Sequence, residues 1–129
     1  MAIRNVLRED WVTFFQTFTS DHLGLLVSLG IDGQHPDKHD TIDIEARELP
    51  LREITANLRN KEGIVVISLG VSGDNPFWHV IESVFQVRVV TTGDGSKSAL
   101  TIASLNGQTT TLVVKHEYLT DYTRTRAAR

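Results

Sequence analysis

The stretch from Ser98 to Val114, SALTIASLNGQTTTLVV, holds two alternating apolar and polar runs on either side of Asn106-Gly107. Period-two alternation puts one face of each run in a core, and Asn-Gly is the pair that a two-residue type I′ hairpin turn selects. The stretch therefore predicts an antiparallel hairpin of 98–105 against 108–114. A two-residue loop sets Leu100 opposite Val113 and Thr101 opposite Leu112.

Upstream the same period recurs. Leu23, Leu25, Val27, Leu29 and Ile31 alternate with smaller or polar residues, which predicts a strand that ends at Asp32-Gly33. A second strand is expected over 41–49, with Ile42, Ile44 and Ala46 inward, and Pro50 marks an edge, a bend or the strand's end. Residues 51–58 fit a helix through Leu51, Ile54 and Leu58, or a strand through Ile54, Ala56 and Leu58. The strand is preferred because 59–63 resembles a hairpin loop leading into Ile64–Leu69. That run is rich in β-branched residues on both faces, as in a central covered strand. Residues 77–83 are expected to form a short turn of helix before another strand over 84–92.

One segment has the helical period instead. Trp11, Phe14, Phe15 and Phe18 recur at i, i+3, i+4 and i+7 within 8–20, giving an amphipathic helix with an aromatic stripe expected to be buried. The fold class is accordingly α+β, mainly β, with one N-terminal helix and about six antiparallel strands. These would form a small Sm-like or SH3-like barrel or a strongly curved sheet. The 129 residues form one domain, with the β-domain over 23–114 and a polar tail from 115 that frays at its basic end.

The helix pattern Asp10-Trp11-Val12-Thr13-Phe14-Phe15 with Phe18, Ser20 and His22, then Leu49-Pro50-Leu51, then His79-Val80-Ile81, is similar to an uncharacterised family of short bacterial proteins. The resemblance spans roughly 8–114 and implies a Trp-x-x-Phe-Phe helix ahead of a small antiparallel β-domain, with no chemistry attached. Helix-then-strand order is also like that of Sm-like barrels, but no Sm-type RNA-contact motif is present.

Composition narrows the function classes. A net charge of −3 runs against the clustered basic surface that phosphate backbones require, so nucleic acid is not an expected partner. The absence of cysteine removes disulfides, thiolate metal sites and cysteine nucleophiles. No apolar run has transmembrane or signal-peptide length, and a cytoplasmic chain is expected.

The five histidines are the side chains that titrate near neutrality. His35, Asp37, His39 and Asp40 could ring a divalent cation, and six acids face two bases between Asp32 and Glu48. Ligands strung along one loop fix a coordination shell poorly, so no metal and no other cofactor is expected. His79 follows Phe77-Trp78 and precedes Val80-Ile81, an apolar setting in which a histidine most often bonds to backbone. With Trp78 and Glu82 it is the candidate border of a ligand pocket. No catalytic motif appears. The expectation is a non-enzymatic binding or self-associating module that uses a sheet edge or an aromatic patch, with a second copy in a homodimer or another protein as its partner. The alternative is a small enzyme with its pocket at His79, Trp78 and Glu82.

Overall fold

The computed structural model describes residues 2–32, 42–58, 63–70, 76–91 and 97–118. In chain order they form β1 (Ala2–Val6), a 3₁₀ turn (Arg8–Asp10), α1 (Trp11–His22), β2 (Leu25–Asp32), β3 (Ile42–Asn57), β4 (Ile64–Leu69), β5 (Phe77–Ile81), β6 (Val84–Thr91), β7 (Lys97–Ser104) and β8 (Thr109–Tyr118). All eight strands join one antiparallel sheet in the order β1-β6-β7-β8-β2-β3-β4-β5. The sheet is open and curved: β1 and β5 are its two edges, so the closed barrel is not formed.

β3 sets the curvature. Its first part, 42–50, pairs with β2, and its second part, 51–57, pairs with β4. The exchange falls at Glu48, whose φ of 50° breaks the regular pleat, and at Pro50, which has no N–H to leave unpaired where partners change. Ser28 Oγ accepts a hydrogen bond from Glu48 N–H at 3.1 Å, and Lys115 forms an ion pair with the Glu48 carboxylate. Beyond the exchange the freed side of β3 meets α1 instead of a strand. Thr19 Oγ1 accepts from Ile54 N–H at 3.0 Å and donates to Ile54 O at 3.4 Å, while Gly24 N–H reaches Leu51 O at 3.0 Å.

Curling brings the strands' inner faces together. Val27, Leu29, Val65, Ile67, Leu69, Val87, Leu100, Ile102, Leu112 and Val114 are fully buried in one cluster with Trp11, Phe15, Leu51 and Ile54. Each such aliphatic side chain contributes about 1.5–3 kcal/mol on leaving water. Helix α1 plugs the end of this core. Trp11, Phe15 and Phe18 are buried as the period requires, but Phe14 is only half-buried. It borders the stripe, edge-on to Phe15 at 5.3 Å, with the Arg4 guanidinium 5.6 Å over its ring.

Other expectations are corrected. A strand, β1, precedes the helix; its first four residues are exposed, and its five residues show no period-two alternation. Leu23 lies outside β2 and is exposed, and Leu26 is buried although the alternation puts it outward. β3 runs through Pro50 without ending. Residues 77–81 are a strand, not a turn of helix, paired with β4 from Val65↔Ile81 to Leu69↔Phe77. The β7–β8 hairpin forms with its register one residue away: Leu100 faces Leu112 and Thr101 faces Thr111. The cause is the loop. Ser104 N–H bonds Gln108 O at 2.9 Å and Gly107 N–H bonds Ser104 O at 3.0 Å, with Gly107 at φ 94°. That is a three-residue loop closed by a left-handed glycine rather than a two-residue type I′ turn. No helix among the described residues is long and apolar enough to cross a membrane.

Candidate functional site

β5 lies at the sheet edge and, among the described residues, pairs only with β4. Alternation divides its five side chains. Phe77, His79 and Ile81 turn toward the core side, while Trp78 and Val80 stand on the outer face, 57% and 54% exposed. The strand Phe77-Trp78-His79-Val80-Ile81 contains no lysine, arginine or proline and no register shift, the usual features that blunt an edge. At the opposite edge, β1 carries Arg4 and Asn5, and Asn5 Oδ1 accepts from Arg88 Nε at 2.9 Å.

The curl places β5 over the tip of the β7–β8 hairpin, four strands away in the sheet order. His79 Nε2 lies 3.3 Å from Thr110 Oγ1. Thr110 is a buried residue of β8, so this contact ties one end of the sheet to its middle. Beyond β5 the chain turns at Ser83, whose φ is 54°. The corner is pinned by Ser104 Oγ donating to Glu82 O at 2.6 Å and by Leu105 N–H donating to Ser83 O at 2.9 Å. A cleft of about 300 Å³ opens between these elements, lined by His79, Val80, Ile81, Glu82, Ser104, Asn106, Gln108 and Thr110.

Its wall carries an imidazole, a carboxylate, two primary amides and two hydroxyls. Asn106 Oδ1 already accepts from Gln108 N–H at 2.9 Å, which leaves its NH₂ group as a donor. Three consecutive residues of β5 line the cleft, so the main chain of the edge strand forms part of the wall.

Of the residues proposed from sequence, His79 and Glu82 border this cleft. Trp78 does not line it and occupies the outer face of the same strand. Ser104, Asn106, Gln108 and Thr110 were not singled out for this role. Their proximity to β5 arises from the curl of the sheet, and the one local signal was an amide-rich sequence at a hairpin tip. His35, Asp37, His39 and Asp40 lie outside the described residues. Among the described residues no group of three or more His, Cys, Asp or Glu is placed to hold a metal ion.

Comparison with protein-family models, curated proteins and solved structures finds no match. What stands of the likeness to short bacterial proteins is the arrangement it implied, a helix near the N-terminus followed by a β-domain.

Proposed function

We propose that this domain is a non-enzymatic interaction module that recognises an extended polypeptide segment along the open edge of β5. The observation that carries the reading is that this strand pairs, among the described residues, with β4 alone, beside a cleft rimmed by primary amides. An unpaired edge offers alternating N–H and C=O groups, the pattern that an added strand satisfies. Asn106 and Gln108 supply further donors and acceptors on the opposite wall, and Glu82 supplies a carboxylate at the end of β5. Trp78 and Val80 present apolar surface to the outward side chains of the added strand, where aromatic and β-branched cross-strand pairs are favourable.

The test is a panel of fluorescein-labelled nonapeptides with alternating apolar and polar residues, read by fluorescence polarisation against the wild type and against Trp78→Lys/Val80→Lys. The edge reading expects saturable binding that weakens at least about tenfold in the lysine variant. Absence of binding by every peptide, or binding unchanged by the two lysines, rejects it.

A second reading, a small enzyme, is supported by His79 and Glu82 bordering one cleft. An imidazole and a carboxylate are groups for general acid and base work. It requires a turnover activity that His79→Asn abolishes without lowering the melting temperature.

A further inference from the structure

We infer that the cleft between β5 and the β7–β8 hairpin tip is a site for a guanidinium group, supplied by an arginine side chain of the recognised segment. The site stands on the chemistry of the cleft itself, and the arginine as its source rests on the edge reading above.

The frame of the cleft is bonded to itself. Ser104 is buried; its Oγ donates to Glu82 O at 2.6 Å and accepts from Asn106 N–H at 3.4 Å. Ser104 N–H donates to Gln108 O, Ser104 O accepts from Gly107 N–H, and Ser83 O accepts from Leu105 N–H. The hairpin tip and the corner after β5 are thus latched together before any ligand arrives. Such a frame lowers the ordering cost that a ligand must meet.

What the frame carries has a definite polarity. Among the described residues that line the cleft, Glu82 alone bears a carboxylate, and none is a lysine or an arginine. Neither that carboxylate nor the side-chain amide of Gln108 bonds to another described residue. The carboxylate is acceptor-only, and the amide oxygen adds a further planar acceptor. A phosphate or carboxylate ligand would meet a like charge here and no fixed cation. An ammonium is a compact point charge, whereas a guanidinium presents five N–H donors in a planar fork. It can hold a carboxylate through two parallel bonds and keep donors for an amide oxygen.

Asn106 accounts for the rest of the ligand. Its Oδ1 is committed to Gln108 N–H at 2.9 Å, so its NH₂ serves as a donor. That group suits a main-chain carbonyl, which an arginine within a peptide brings along with its guanidinium. A cleft of about 300 Å³ admits the guanidinium and its methylene stem.

The test titrates isotopically labelled protein with Nα-acetyl-arginine amide, with its lysine analogue and with its citrulline analogue, whose neutral urea group replaces the guanidinium. Backbone amide shifts are followed at 79–82 and 104–110, which contain the cleft residues, with β1 as control. The nonapeptide panel is repeated with a central arginine or a central citrulline. The inference expects saturable shifts confined to the cleft, with a dissociation constant on the order of 1 mM for so small a ligand. Binding of the lysine and citrulline compounds is expected to be at least about fivefold weaker. Glu82→Gln alters an exposed side chain, so it is expected to erase the arginine preference, in compounds and peptides alike, at an unchanged melting temperature.

No saturable shift at the cleft, equal binding of the citrulline compound, or an arginine preference that survives Glu82→Gln overturns the inference. Peptides that bind with no preference for arginine also overturn it and leave the edge reading standing. Binding of the arginine compound at the cleft while no peptide binds upholds the site and removes the edge reading.

Discussion

Trp11 and Gly63 touch across the core: a Cβ built on residue 63 would lie 2.6 Å from the indole and 2.9 Å from the Val84 carbonyl oxygen. The indole Nε1 donates to Val6 O at 2.9 Å, and Val84 N–H donates to Gly63 O at 2.8 Å. Four parts of the chain, β1, α1, the start of β4 and the start of β6, are thus fixed at one point, and the helix has little freedom to yield. Gly63→Ala is expected to destabilise the fold by about 1–3 kcal/mol, the usual cost of forcing atoms into a packed core. Denaturant melts of Gly63→Ala, with and without Trp11→Phe, check this. The smaller ring is expected to recover part of the loss, and simple additivity of the two changes would show that the contact is not the cause.

The aromatic stripe makes a graded prediction. Phe15 is wholly buried and Phe14 only half-buried, so Phe15→Ala is expected to cost about 3–5 kcal/mol and Phe14→Ala clearly less. Chemical denaturation of the two variants tests the order. Equal losses would place Phe14 inside the core.

Ser68 lies opposite Trp78 in the β4–β5 pairing, and its hydroxyl is buried with no hydrogen-bond partner among the described residues. A buried unsatisfied hydroxyl costs about 1–3 kcal/mol. Ser68→Ala is therefore expected to leave stability unchanged or raise it, measured as the midpoint of urea unfolding. A marked loss would reveal a partner for the hydroxyl.

Gly107 carries the loop that shifted the hairpin register. At φ 94° a Cβ is strained, and Gly107→Ala is expected to cost about 1–2 kcal/mol. Thermal melts of this variant and of Asn106→Ala rank the two loop residues. A neutral Gly107→Ala would mean the loop readily adopts another turn.

The hairpin also shows how far sequence reading reached. Alternation and Asn106-Gly107 located both strands, although β8 runs on to Tyr118, past the expected end at Val114; loop length depends on which residue takes the left-handed conformation, and that is decided by the main-chain bonds at Ser104 and Gln108. α1 and β2 were legible from their periods, although Leu23 and Leu26 depart from that of β2, and β4 was legible from its run of β-branched residues. β1 was not, since its residues are mostly exposed and its pairing with β6 lies about eighty positions away along the chain. β5 resembled a helical turn because Phe77, Val80 and Ile81 stand at the helical spacing i, i+3 and i+4. Pro50 fits an edge, a bend or an end in the sequence, because only the tertiary fold shows that β3 changes partners there. At the site, His79 and Glu82 stood out as titratable groups near aromatic residues. Thr110, Asn106 and Gln108 did not, because their place beside β5 is created by the curl of the sheet.

Amide hydrogen exchange along Phe77–Ile81, measured with and without a bound nonapeptide, tests the central claim most directly, because free and paired edge amides differ in protection. An extended segment added along β5 predicts slower exchange at the amides facing away from β4 once the peptide is bound, with β1 unchanged. Exchange at those amides that the peptide does not alter would contradict it.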